Sequence, residues 1–288
     1  MKIRQGKGKK KRYILQNYSI IGNNIAAVNG KRDSLINVIS KLSPAIVTLQ
    51  ETKLYKKGKL KIEDYEVFES LRNNAEGGGL ATIIHEKLNP IEICKVNESK
   101  MSENILVTEA DIGKERICII NAYCPQKYAK LDEKIEFYTN LDEEIQAALD
   151  SGNLVCVQLD GNGKFGSSII REDPHEMSNN GKLLLDLITR KNLILVNSSN
   201  ECKGTITRSK VVGGHTEKSV IDFFFVCERL FQYVDYLEID EERKYCFKKY
   251  SRTKGNIKVI ESDHNLMLLN LKFNFNKRIF KNRLKYLI

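Results

Sequence analysis

Residues 153–163 read NLVCVQLDGNG. Asn153–Leu159 is a continuous apolar run of strand length, and Asp160-Gly161-Asn162-Gly163 breaks it with turn-forming residues. A strand apolar on both faces must be covered on both sides. Upstream, Leu131–Leu149 carries Leu131, Ile135, Tyr138, Leu141, Ile145 and Leu149 on one stripe, which predicts an amphipathic helix. Asn104–Asp111 and Arg116–Tyr123 read as a strand pair turning at Gly113. Further back, Ala45–Leu49 and Leu80–Ile84 are apolar strand runs, the second led in by Gly77-Gly78-Gly79, a flexible turn. Asp33–Leu42 has helical spacing, with Asp33 as the expected N-cap and Ser43-Pro44 as the stop. Downstream, Lys182–Lys191 reads as helix, and Leu193–Val196, Val220–Val226 and Leu266–Leu271 as strands. Helices covering apolar strands indicate an α/β fold. The lack of strict βαβ alternation favours stacked mixed sheets over one doubly wound sheet.

The chain has 288 residues and a net charge of +10, from 47 Lys/Arg and 37 Asp/Glu. Residues 1–12 hold seven basic residues and 271–288 hold six, with no acid in either. Taking those thirteen from the 47 leaves 34 bases against 37 acids in 13–270, a net of −3. The body is thus slightly acidic between two basic arms, a pattern that suits a polyanion such as nucleic acid and equally a solubilising or localising tail. No Gly/Ser/Pro linker divides 13–270, so one domain is expected there. The start, MKIRQGKGKKKR, lacks the apolar segment of a secretory signal. No apolar run approaches the ~20 residues that span a bilayer, so no membrane partner is expected. The seven cysteines are scattered without a C-x-x-C pair, which argues against a disulfide framework and for an intracellular setting.

The chemistry sits at the strand ends. Ala45–Gln50 ends in Glu51, and ICIIN ends in Asn121-Ala122-Tyr123. NLVCVQL ends in Asp160 and Asn162, SVIDFFFV contains Asp222, and Leu266–Leu271 is preceded by Ser262-Asp263-His264. Singly, each has an ordinary reading as a turn former, cap or core residue. If the ends converge, four carboxylates repel one another unless a cation neutralises them. With oxygen donors and no Cys or paired-His set, that cation would be hard, Mg²⁺ or Mn²⁺. Carboxylates, amides, a Tyr and a His together suit metal-assisted phosphoester hydrolysis.

In order, Gln50-Glu51-Thr52, Asn121-x-Tyr123-x-Pro125, Asp160-x-Asn162, Ile221-Asp222-Phe223 and Ser262-Asp263-His264 resemble the endonuclease/exonuclease/phosphatase superfamily. The strongest likeness is to apurinic-type endonuclease domains of non-LTR retrotransposon polyproteins, over about 20–270. The resemblance implies a four-layer α/β sandwich, two packed mixed sheets flanked by helices, with the site at one rim. It implies metal-ligand roles for Glu51, Asp263 and Asn24. It implies that Asp160 orients or deprotonates the attacking water and that Asn162 helps hold the phosphate. His264 would hydrogen-bond the scissile phosphate, Asp222 would orient His264, and Tyr123 would contact phosphate.

The family's opening Asn motif falls in Asn23–Gly30. Alignment on Asn29-Gly30 puts Ala27 at the family Asn; alignment on Asn24 keeps Lys31 and Ser34-Leu35 in familiar spacing and is preferred. Asp160-Gly161-Asn162 keeps both polar groups of the usual Asp-Phe-Asn, and Phe223 stands where Tyr is common. The expected function is an Mg²⁺-dependent endonuclease that nicks DNA and leaves a 3′-hydroxyl, which in a retroelement would prime reverse transcription. Expected partners are DNA and a downstream reverse transcriptase, the basic 271–288 segment leading toward it, and the expected location is nuclear. The alternatives are a phosphatase or phospholipase of the same superfamily, or a decayed domain that binds DNA without cutting.

Overall fold

The structure is a computed structural model, and it describes residues 17–71, 78–96, 100–253 and 256–273. The basic arm at 1–12, most of the 271–288 segment and Gly77 lie outside the described residues. Along the chain the elements are β1 (Asn17–Asn24), α1 (Arg32–Leu42), β2 (Ile46–Gln50), β3 (Tyr65–Ser70), β4 (Leu80–His85) and β5 (Ile91–Glu92). Then come β6 (Ile105–Ile112), β7 (Glu115–Tyr123), α2 (Leu131–Asp150), β8 (Leu154–Asp160), α3 (Asn179–Arg190), β9 (Leu193–Leu195) and β10 (Cys202–Lys203). The last are β11 (Arg208–Val212), β12 (His215–Ser219), β13 (Asp222–Cys227), α4 (Glu228–Phe231), β14 (Val234–Ile239), β15 (Lys248–Thr253), β16 (Asn256–Glu261) and β17 (Met267–Lys272).

Two large mixed sheets form the centre. One has seven strands in the order β10-β14-β17-β1-β2-β4-β3, the other six in the order β5-β6-β7-β8-β13-β9. Ile20, Ile46 and Ile84 of the first sheet share a core with Ile105, Ile117 and Ile119 of the second. On the outer side of the seven-stranded sheet, α1 lays Leu35, Val38 and Ile39 against Ile21, Val47 and Leu49. On the six-stranded sheet, α2 and α3 contribute Phe137, Leu141, Ile145, Leu184 and Leu187. The result is four layers, helix on sheet on sheet on helix, as the resemblance implies. The β11–β12 and β15–β16 pairs are separate two-stranded hairpins.

Period-two alternation explains how the sheets make a site. On the faces that meet, Ile20 and Ile46 are apolar. The next residues inward-facing toward one end are Gly22 and Thr48, then Asn24 and Gln50, which pair across β1 and β2. In the other sheet, Ile119, Asn121 and Tyr123 run beside Cys156, Gln158 and Asp160 in the same direction. The inter-sheet space therefore changes from apolar to polar along the strands. Its middle is a fully buried amide cluster. Gln50 Nε2 donates to Asn121 Oδ1 at 2.6 Å, and Thr48 Oγ1 to Gln158 Oε1 at 2.7 Å. Gly22 is required there, because a Cβ would sit 2.6 Å from the Gln158 side chain.

Two local expectations are corrected. Helix α1 starts at Arg32, with Lys31 in the N-cap position and no side-chain cap; Asp33 lies in the first turn, where its charge meets the helix N-terminal dipole instead. In α2, Leu131 and Ile135 are exposed, and the buried face runs through Phe137, Tyr138, Leu141, Ile145 and Ala148. The first turn of α2 thus lies outside the packed face.

Candidate active site

The polar ends of both sheets meet at one rim. Asp160 closes β8, and the register pairs it with Tyr123 on one side and Asp222 on the other. Three site residues thereby occupy one row across β7, β8 and β13. Asn24 closes β1 from the opposite sheet, and its Nδ2 donates to Asp160 Oδ2 at 2.9 Å and to Glu51 Oε1 at 3.2 Å. Its Oδ1 accepts from Ala26 N at 3.0 Å, which fixes the NH₂ toward the carboxylates. Ala27 contributes no side chain; its N–H donates to the Glu51 carbonyl at 2.7 Å. Of the two alignments, Asn24 is the one whose amide reaches the cluster.

Glu51 follows β2 at φ 50°, a left-handed conformation that turns the chain sharply at the rim. Tyr123 Oη donates to Glu51 Oε1 at 2.8 Å, and Lys53 Nζ lies 3.5 Å from Oε2. Burial alone would raise the Glu51 pKa, but the hydrogen bonds from Tyr123 and Asn24 and the Lys53 charge bring it below the ordinary carboxylate value. Burial raises the Tyr123 pKa, aided by the negative charges of Asp160 and Glu51, so the phenol stays a donor.

The other half of the site is almost dry. Asp160, Asp222 and His264 are 2%, 1% and 6% exposed. His264 Nδ1 lies 3.0 and 2.9 Å from the two Asp222 oxygens. Thr207 Oγ1 accepts from the Ile221 and Asp222 N–H groups at 2.9 and 3.1 Å and so fixes the backbone that carries this carboxylate. Ser262 Oγ donates to the Asn24 carbonyl and accepts from His264 N, tying the histidine loop to β1. Burial opposes a charged imidazole, yet the facing Asp222 carboxylate, helped by Asp160 and Asp263, lifts the His264 pKa to about 9. Burial and the charge of Asp222 push Asp160 the other way from Glu51, up to about 7, despite its hydrogen bonds from Asn24 and the Asn162 N–H.

Nε2 of His264 is 4.0 Å from Asp160 Oδ2. That is too long for a hydrogen bond, but one oxygen atom could sit about 2.8 Å from both. Asn162, at φ 43°, donates its N–H to Asp160 Oδ1 and its side-chain NH₂ to the Cys124 carbonyl. Asp263 lies beside the imidazole, with Oδ1 4.0 Å from Nε2 and Oδ2 held by Arg208 at 2.8–2.9 Å. Burial would raise its pKa, but His264 and Arg208 hold it below the usual carboxylate range.

Asp160, Asp222 and His264 lie close enough together to ligate one ion. Nδ1 is committed to Asp222, however, so this trio is better suited to hold and pass a proton. A hard divalent cation fits the adjoining donors better. Glu51 is held anionic, and Asp160 carries a charge that burial and Asp222 disfavour, which a neighbouring cation would relieve. Sequence reading did not give roles to Thr207, Arg208 or Lys53. Nothing in the residue type of Thr207 distinguishes a buried threonine that braces an aspartate from a surface one.

No family model and no curated protein matches the sequence. Solved structures do. The endonuclease domain of TRAS1, a telomere-specific non-LTR retrotransposon, superposes with a TM-score of 0.65 at 17% identity, over 89% of this chain and 99% of that one. The chain has the endonuclease/exonuclease/phosphatase fold. The apurinic endonuclease LMAP from Leishmania major is similar with a TM-score of 0.66 at 15% identity, over 90% of this chain and 89% of that one. A 3′ phosphatase, NExo from Neisseria, in a structure bound to a product DNA hairpin, has a TM-score of 0.65 at 14% identity, over 89% of this chain and all of that one.

Proposed function

We propose that the protein is a divalent-cation-dependent DNA endonuclease that cuts the P–O3′ bond and leaves a 3′-hydroxyl. The observation that carries this reading is the convergence at one rim of Glu51, which accepts from Tyr123 and Asn24, and of buried Asp160, whose Oδ2 lies 4.0 Å from Nε2 of the Asp222-paired His264. Similarity of fold to nucleases and to a phosphatase, one bound to DNA, supports a phosphoester hydrolase acting on nucleic acid.

Glu51, with the more distant Asp263, would hold Mg²⁺ or Mn²⁺, which would supply Lewis-acid stabilisation of phosphoryl charge, whereas Asn24, with its NH₂ on the carboxylates and its Oδ1 taken by Ala26 N, orients Glu51 instead of ligating. The chain's own groups do the rest. Asp160 Oδ2 takes a proton from the attacking water as the water oxygen bonds to phosphorus and the P–O3′ bond breaks, the departing O3′ taking its proton from solvent to give the 3′-hydroxyl. His264, kept cationic by Asp222, donates from Nε2 to a non-bridging oxygen as negative charge grows there. Tyr123 and Asn24 hold Glu51 in place, and Asn162 fixes Asp160 and offers polar contact to the phosphate. In a retroelement, the 3′-hydroxyl would prime reverse transcription by a downstream domain, in the nucleus. Among the described residues, no helix is long and apolar enough to cross a membrane.

Supercoiled plasmid incubated with Mg²⁺ should become nicked, EDTA should abolish the reaction, and a DNA polymerase should extend the nick without end repair. Hydrolysis of inositol phosphates or sphingolipids without nicking would favour the phosphatase or phospholipase reading. DNA binding without hydrolysis of either substrate class would identify a decayed domain.

A further inference from the structure

We propose that the β15–β16 hairpin is a second grip on duplex phosphates, outside the scissile step, with Lys249 and Lys258 as its contacts. This rests on the reading of the protein as a DNA nuclease and adds a binding surface to it.

The hairpin departs from the charge of the body around it. Lys248–Glu261 contains Lys248, Lys249, Arg252, Lys254 and Lys258 against the single acid Glu261, whereas 13–270 as a whole is net negative. Glu261 is already paired, with Lys248 at 3.1 Å and Arg243 at 3.3 Å. Register and alternation sort the rest. Lys249 pairs with Ile260 and Ser251 with Lys258, so the two lysines share a face as diagonal neighbours, about 7–8 Å apart. That separation lets two ammonium groups take two phosphates. The opposite face pairs Tyr250 with Val259, both exposed, a cross-strand contact that supports an otherwise isolated ribbon.

The root of the hairpin is fixed to the site. Strand β16 runs directly into Ser262, Asp263 and His264. The methylenes of Lys249 pack over Gly30, at φ 80°, where a Cβ would come within 2.7 Å of them; Gly30 lies in the loop that leaves β1 after Asn24. Lys248 N donates to Ser34 Oγ of α1 at 3.2 Å. Arg243 donates to the Ser262 carbonyl and to Asn265 Oδ1, holding the segment before β15 against the histidine loop. A six-residue strand extends about 20 Å. DNA seated at Asp160 and His264 would therefore leave its flanking backbone within reach of this ribbon. Exposed lysines also discourage edge-to-edge strand pairing, and that role alone would give no DNA contact.

The test measures binding of the full chain to a short duplex in EDTA from 50 to 200 mM salt, alongside plasmid nicking. The variant Lys249→Gln/Lys258→Gln changes only exposed side chains, and its melting temperature checks the fold. Each lost phosphate contact removes about 0.9 from the slope of log affinity against log salt, so the double variant should lose nearly 2. Over that salt range wild-type affinity should fall about tenfold further than the variant's. Lys249→Arg/Lys258→Arg should keep the wild-type slope. Lys87→Gln/Lys114→Gln, at the strand ends far from the rim, should also keep it. An unchanged slope in the Gln variant, or an equal drop in the Lys87/Lys114 control, overturns the proposal. If wild type nicks while the Gln variant keeps its slope, only the hairpin assignment fails. If wild type neither nicks nor binds DNA, the nuclease reading fails and takes the hairpin with it. Loss of binding to anionic lipid vesicles with an unchanged DNA slope also overturns it.

Discussion

Glu51 and Asp160 are both carboxylates, both accept from the same Asn24 amide, and both stand at the same rim, yet their pKa values move in opposite directions. The Glu51 side chain is 22% exposed and receives donors from Tyr123 and Asn24 with Lys53 nearby. Asp160 is sealed in and faces a second carboxylate, Asp222. Desolvation acts on both and each accepts from two donors; the depth of burial and the sign of the neighbouring charge decide the outcome. One half of the site is thereby suited to hold a cation and the other to exchange a proton.

The comparison can be broken from either side. The largest effect is expected from His264→Gln. It should reduce nicking by about 10²–10⁴ and, by leaving the buried Asp222 charge unpaired, cost about 3–5 kcal/mol of stability. Plasmid kinetics and denaturant unfolding check the two together, and a variant as stable as wild type would mean that Asp222 and His264 are not a charged pair. Glu51→Gln should also lose nicking but with little change in the stability of the metal-free protein. Its signature is the loss of Mg²⁺-induced stabilisation, which at a hundredfold excess over Kd amounts to about 2.7 kcal/mol in wild type. Thermal melts with and without Mg²⁺ measure this; an undiminished Mg²⁺ shift would place the ion elsewhere.

Smaller effects sharpen the contrast. Tyr123→Phe removes one hydrogen bond to an anionic carboxylate, worth about 1.5–3 kcal/mol at most, so cation affinity should fall by tenfold or more. Titration of nicking against Mg²⁺ reads this directly. The smallest signal is a pH dependence. With a folded-state pKa of about 9 against an unfolded value near ~6.5, the folded protein binds the His264 proton more tightly. The stability this contributes is complete below pH ~6.5 and is lost as pH rises through about 9. Melting temperature in EDTA should fall across that window in wild type and fall less in His264→Gln.

Much of this was legible because apolar runs such as Leu154–Val157 and Phe223–Val226 are bounded abruptly by polar residues. The ordered motifs then pointed to the fold and to the group of side chains that the structure brings together at one rim. What escaped notice had mixed patterns. Strand β1, NYSIIGNN, interleaves polar and apolar residues because one of its faces enters the buried amide cluster. Gln50, Asn121 and Gln158 look like surface residues in sequence, and only their mutual hydrogen bonds allow their burial. The β11–β12 and β15–β16 hairpins cover no core, so hydrophobic periodicity carries no trace of them. Leu131 and Ile135 fit the apolar stripe of α2 yet are exposed, because apolar spacing does not reveal where the sheet beneath a helix ends.

The most direct measurement is Mg²⁺-dependent plasmid nicking by Asp160→Asn, set beside its melting temperature in EDTA. The substitution keeps shape and an oxygen for the Asn24 amide but removes the base and a charge that Asp222 repels. The account predicts nicking reduced about a thousandfold, with a melting temperature equal to or above that of wild type. Nicking within tenfold of wild type at a preserved melting temperature would contradict it.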